Sequence, residues 1–261
     1  MHYALTDQYR PQTSILHHLD PRVKVLAVIG YILAVSLTPE GTWWAFGFFF
    51  LVLILTVSLS RLGLSFTMRR SFIALPFILA AFAVPFTTPG PIFWQIPGLN
   101  WAVSEPGLIR FLSILARSWL AVQAAILLTA VTRFSNILWA LGSLRFPGIL
   151  VSTIGFMYRY LYVLADEATR MMRARTSRSA RIPGSSRQSI AWQGKVAGAM
   201  VGSLFLRAVE RSERVYLAML SRGYDGSMRS LTHFQMQQRD WISFVLICLL
   251  LIVPLTLDWM V

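Results

Sequence analysis

Residues able to do chemistry are few and scattered along this 261-residue chain. The four histidines are His2, His17, His18 and His233, and no two have the i,i+4 spacing that sets a pair of metal ligands on one helix face. Cys248 is the one cysteine and lies in an apolar run, so neither a disulfide framework nor a thiolate metal cluster is available. A phosphate-cradling loop needs G-x-x-x-x-G-K-[ST]; here Val196 follows Gly194-Lys195, and Ser189 stands where the first glycine is required. Asp225, in Tyr224-Asp225-Gly226, has no second acid placed near it, and an Asp before Gly is expected to accept backbone N–H bonds in a turn. Nothing here suits an enzyme or a resident cofactor.

Arginine is what remains. Two short stretches, Ala174-Arg175-Thr176 and Ser221-Arg222-Gly223, put an arginine after a small residue near the end of a helical pattern, 47 positions apart. The later pattern runs over 203–222, where Leu204, Phe205, Ala208, Val209, Val215, Tyr216, Met219 and Leu220 recur with helical spacing. Arg207, Glu210, Arg211 and Arg214 are expected on its polar side, and Gly223 suits a left-handed C-terminal cap. The earlier pattern covers about 158–179, with Asp166 and Arg170 at i,i+4 and Arg173, Arg175 and Arg178 crowding its last turns before a break at Ile182-Pro183-Gly184. Two readings are open. An arginine near a helix C-terminus complements the helix dipole, worth about 0.3–1 kcal/mol, and basic amphipathic helices bind anionic headgroups. In the sharper reading each arginine enters an acidic groove on a partner protein.

The elements that must position these residues belong to a membrane protein. The chain is 56% hydrophobic and only 13% charged, against about 25% charged for a soluble domain. No cleavable signal is expected, because the first 22 residues are polar. Five apolar stretches are expected to span: roughly 23–38, 42–60, 71–86, 108–131 and 241–257. Pro76 and Pro85 predict a kinked or tilted third span. The segments 38–42 and 86–107 hold no lysine or arginine, whereas the N-terminus has Arg10, Arg22 and Lys24 and Arg61, Arg69 and Arg70 follow the second span. The positive-inside rule then sets the N-terminus in the cytoplasm and the C-terminus outside. The expected fold is an all-α integral membrane protein: residues 1–133 with helices 1–4, a cytoplasmic coupling-helix domain over 134–240, and a last helix over 241–261.

The 134–240 segment carries most of the net charge of +13. Two pieces of it, 147–165 and 190–206, are apolar enough to enter the bilayer as a re-entrant or extra spanning pair. Arg159 and Lys195 within them favour helices lying along the inner membrane surface instead. Gly194, Gly198 and Gly202 share one helix face, where another helix can approach closely.

The opening Ser14-Ile15-Leu16-His17-His18-Leu19-Asp20-Pro21-Arg22-Val23-Lys24 resembles the S-x-L-H-x-L-D-P-R-x-K entry of the transmembrane T components of energy-coupling-factor (ECF) transporters. The two small-Arg-x helix ends resemble that family's paired Ala-Arg-Gly-type motifs, and the run from Tyr158 to Ser179 together with SRGYDG resembles its cobalt/nickel branch, the CbiQ type. Thr176 departs from the glycine often found there. The resemblance implies a non-catalytic scaffold without cofactors in the plasma membrane. It would hold a substrate-binding S component and couple it to two cytoplasmic ATP-binding-cassette subunits, with Ala174, Arg175, Thr176, Ser221, Arg222 and Gly223 as the ATPase-binding motifs. It implies cobalt, with nickel second, as the cargo of the S component. Arg110 and Arg117 share a face of the fourth span; snorkelling or bundle packing is the structural reading, and contact with the S component is the other. The competing function is a non-transport membrane scaffold that binds anionic lipid or a soluble regulator. On these grounds the purified chain alone should neither hydrolyse ATP nor bind cobalt or nickel tightly; stoichiometric sub-micromolar metal binding by calorimetry would contradict this.

Overall fold

The computed structural model describes residues 9–12, 14–63, 68, 70–95, 102–178, 189–226 and 234–260. A short α1 (Ile15–His18) leads into α2 (Pro21–Leu37), which starts where the sequence demands. Asp20 caps it, accepting the Arg22 N–H at 2.8 Å, and Pro21 occupies the first turn, where a missing N–H costs no helical bond. The turn through Gly41, with φ of +87°, leads into α3 (Trp43–Ser60), which ends at Arg61 in the left-handed region.

The third expected span is broken rather than kinked. A 3-10 turn over Ser71–Ala74 gives way to α4 (Leu75–Ala81) and α5 (Val84–Thr87). Pro76 and Pro85 each lack the N–H an uninterrupted helix would need there. The arginine-free segment after it holds a two-stranded antiparallel ribbon, β1 (Ile92–Gln95) and β2 (Ala102–Ser104), a small addition to an otherwise all-helical fold. Ser104 then caps the long α6 (Glu105–Val131), accepting the Gly107 N–H, and α7 (Phe134–Ser143) follows. Two 31-residue helices, α8 (Gly148–Arg178) and α9 (Ile190–Leu220), precede the last helix, α10 (Gln238–Met260). The helix predicted over 158–179 therefore starts ten residues earlier, and the pieces at 190–206 and 203–222 are one helix. The predicted break at 182–184 lies outside the described residues.

Among the described residues, three helices are long and apolar enough to cross a membrane by length and composition: α3, α6 and α8. α3 and α6 coincide with the second and fourth expected spans. α8 contains 147–165 almost entirely, so the stretch left open between crossing and lying flat belongs to a helix long enough for either.

The chain separates into two compact units, one holding Ala4–Leu144 with Thr232–Val261 and the other holding Arg145–Leu231. The core of the first lies between α2, α3 and α6, where Tyr31, Val35, Phe49, Leu53, Leu120 and Ala124 are buried together. The Tyr31 hydroxyl donates to the Phe49 carbonyl at 2.9 Å, so the one polar atom of that ring is satisfied within the bundle. Against α2 comes α10: a Cβ at Gly30 would sit 3.3 Å from Leu251.

α6 grips the turn between α2 and α3 with one face. Arg110 Nε bonds Glu40 at 2.8 Å, Ser113 Oγ accepts the Gly41 N–H at 3.3 Å, and Arg117 Nη2 donates to the Thr38 carbonyl at 2.5 Å. Residues 110, 113 and 117 fall on one stripe of a helix, so both arginines bond within the bundle. They differ in surroundings: the Arg110–Glu40 pair is about half exposed, whereas Thr38 is buried. Arg117→Ala leaves the carbonyl that ends α2 without its donor and is expected to cost about 1–3 kcal/mol. Arg110→Ala is expected to cost under about 1 kcal/mol. Thermal unfolding in detergent should therefore separate the two variants, and equal losses would count against this account of the turn.

Candidate functional site

The arginine-bearing unit is built from α8 and α9, which lie antiparallel. Glu167 of α8 accepts from Arg170 on its own helix at 2.7 Å and from Arg207 on α9 at 2.8 Å, and only 17% of its side chain is exposed. Further along, the rings of Phe156 and Tyr224 meet edge to face at 6.4 Å. Position 167 thus stands opposite 207, and 156 opposite 224. Arg222 therefore lies beside the early turns of α8, while Arg175 lies near the other end of the pair. At 1.5 Å per residue, the roughly 17–20 positions between 175 and the part of α8 facing Arg222 separate them by about 25–30 Å.

At Arg222 the chain stops a helix in the way its sequence predicts. Gly223 has φ of +79°, its N–H donates to the Leu220 carbonyl at 3.0 Å, and the Tyr224 N–H donates to the Met219 carbonyl at 3.0 Å. This is the Schellman arrangement, which closes the last carbonyls and favours glycine at the left-handed position. Tyr224, just past the cap, rests on Phe156 and so anchors the helix end. Ser221, Arg222 and Gly223 are all exposed. The cap thus holds Arg222 at a fixed tip, facing solvent.

The Ala174-Arg175-Thr176 site is different. All three residues are helical, and α8 runs on through Arg178. Thr176 is not a cap: its hydroxyl donates back to the Arg173 carbonyl at 2.7 Å, as Ser177 does to Ala174 at 3.0 Å. Arg175 is half-buried between exposed neighbours. Among the described residues neither Arg175 nor Arg222 makes an ion pair.

Two expectations about the polar faces change. Arg170 pairs with Glu167 at i,i+3 rather than with Asp166 at i,i+4. Arg211, expected on the exposed face, is half-buried and falls on the stripe Leu204, Ala208, Arg211, Val215 and Met219 that faces inward, while Arg214 is exposed. The apolar residues of α9 outnumber the inward positions, so Phe205, Leu217 and Leu220 remain exposed. At Gly194, Gly198 and Gly202 an added Cβ would meet nothing within 4 Å, so this chain leaves the glycine face open. Sequence reasoning did not single out Glu167, whose spacing to Arg170 was readable but whose bond to Arg207 spans 40 positions. Among the described residues no group of three or more His, Cys, Asp or Glu gathers as a metal site.

The arrangement presents two guanidinium groups at opposite ends of a helix pair, on an apolar and positively charged unit. A guanidinium can bind a carboxylate through two parallel hydrogen bonds. Comparison with known proteins gives the family. The energy-coupling factor transporter transmembrane protein EcfT of Brevibacillus brevis is 29% identical over 94% of this chain and 95% of its own length. EcfT of Lacticaseibacillus paracasei is 27% identical, over 93% of this chain and 94% of its own. An uncharacterized protein of Methanocaldococcus jannaschii is 25% identical over 96% of this chain and 85% of its own. The model of the CbiQ family, described as cobalt transport protein, matches residues 12–234, and with that span of the sequence covered the chain belongs to the CbiQ family, as a T component of the energy-coupling-factor class.

Proposed function

We propose that this chain is the energy-coupling membrane subunit of an ATP-driven importer for cobalt, with nickel as the second candidate. It holds a substrate-binding S component in the plasma membrane and docks two cytoplasmic ATPase subunits, one on Arg175 and one on Arg222. It does no chemistry itself. The observation that carries the reading is the placement of two arginines, without ion-pair partners among the described residues, about 25–30 Å apart on an antiparallel helix pair. Closure of the ATPase pair would then move the two ends of the unit together.

The basic unit also suits anionic lipid, and that is the second reading. Charge alone distinguishes the two poorly, because lysine serves lipid as well as arginine does, whereas a carboxylate groove uses the planar guanidinium fork. Removing one partner of a desolvated charge pair costs about 2–5 kcal/mol. At about 1.4 kcal/mol per decade, that weakens assembly by tens- to thousands-fold. Arg175→Ala and Arg222→Ala should lose the ATPases on co-purification and lose ion uptake, and Arg222→Lys should recover little of either. Arg214→Ala, on an exposed side chain of the same helix, should change assembly by less than about 1 kcal/mol. Four variants that behave alike would leave only a basic face toward lipid.

The orientation proposed is N-terminus inside and C-terminus outside, with α8 and α9 on the cytoplasmic side. It rests on the arginine-free segments at 38–42 and 86–107. Reporter fusions at Gly90 and at Val261 should both report the outer side. A cytoplasmic signal at Val261 would require α8 to cross.

A further inference from the structure

The segments on either side of the arginine-bearing unit in sequence, α7 and the stretch leading into α10, touch one another. α7 carries Trp139 shortly before Arg145, where the arginine unit begins, and Phe234 stands three positions after its end at Leu231. The outgoing turn is sharp, since Arg145 is a non-glycine residue with φ of 64°. Although nearly a hundred positions separate them, the rings of Trp139 and Phe234 meet at 4.9 Å between centroids, inclined by 59°. The Arg22 guanidinium lies 4.5 Å from the centre of a Trp139 ring. Arg22 is in the first turn of α2. On the same turn Asp20 donates its N–H to Asp240, six residues after Phe234, at 3.0 Å.

The segments that flank the arginine unit in sequence are thus pinned to each other, and the pin is seated where α2 and α10 begin. Aromatic contact and a cation over an indole face are each modest, but here they act together at a point where two chain segments would otherwise move independently. We propose that Trp139 is a positioning residue: the Trp139–Phe234 clasp, seated on Arg22, is where movement of the arginine-tipped helices enters α2 and α10. This rests on the transport reading above, and it concerns coupling rather than assembly, because neither ring belongs to the arginine motifs. With the clasp open, the ATPases still bind and still hydrolyse ATP, and the membrane helices no longer follow.

The test uses the whole complex, purified with its ATPases and S component and reconstituted in vesicles, with ATP hydrolysis and uptake of Co2+ or Ni2+ measured together. Trp139→Ala should retain the ATPases and hydrolyse within about twofold of the wild type, while uptake per ATP falls about tenfold or more; Trp139→Phe should restore it. In a Cys248→Ala background, Trp139→Cys with Phe234→Cys should be uncoupled when free, and coupling should return when a short thiol-reactive bridge joins the two. The proposal is overturned if the Trp139→Ala complex does not assemble, if hydrolysis and uptake fall in parallel, if uptake is unchanged, or if the bridge restores nothing. A wild-type complex that carries neither ion defeats the transport reading and this inference with it. A wild type that carries an ion beside an indifferent variant defeats only the clasp.

Discussion

Asp240 ties the start of α2 to the start of α10. Its carboxylate accepts the N–H of Asp20 at 3.0 Å and the N–H of Gln237 at 2.9 Å, and its side chain is buried. A buried carboxylate is tolerable only when its oxygens are bonded, and here the donors are the backbone groups where α2 and α10 begin. The bond to Gln237 is the reciprocal half of an N-terminal capping box. The bond to Asp20 reaches across 220 positions and fixes α10 against α2. The short entry segment is built onto the same end. Lys24 donates to the His17 carbonyl at 3.0 Å, and the His17 ring bonds Ser14 and the Arg10 carbonyl. Burial pushes the His17 pKa below its ordinary value, and Nε2 donates to the Arg10 carbonyl.

That economy is confined to the membrane unit. There, Tyr31, Ser113 and Arg117 each find a backbone or side-chain partner inside the chain, as a low-dielectric surrounding demands. The arginine unit is the reverse. α9 has no buried residue, and α8 has only Ser152. Phe205 and Leu206 are about two-thirds exposed. Two long helices tied chiefly through Glu167 would be a poor domain by themselves. As a surface to be covered by other chains or by lipid, the same arrangement is intelligible, and the open glycine face of α9 belongs to the same pattern.

How much of this could be read from residues depended on how local the cause was. Gly223 after an amphipathic run predicted a left-handed cap, and the cap is there, because its geometry is decided within six residues. Asp20-Pro21 predicted a helix start for the same reason. Pro76 and Pro85 announced a disturbance, but whether it would be a kink or a break depends on the neighbours that re-satisfy the freed backbone, which no local pattern states. Arg211 was misplaced because the apolar residues of α9 cover more than one face, and only its contact with α8 decides which face turns inward. Glu167–Arg207, Trp139–Phe234 and Asp20–Asp240 are long-range bonds with no periodic signature. The length of α8 was hidden by its change from apolar to basic halfway along, which reads as two segments although the backbone does not break.

The central claim is that ATPase subunits hold this chain at the two arginine ends of the α8–α9 pair. Hydrogen exchange of the purified chain, with and without its ATPases, reads both ends at once. The account predicts that amides at 173–178 and 219–226 slow together when the ATPases are added, and that anionic lipid vesicles alone do not reproduce the effect. Exchange that is unchanged at both ends, or slowed as much by the vesicles as by the ATPases, would contradict it.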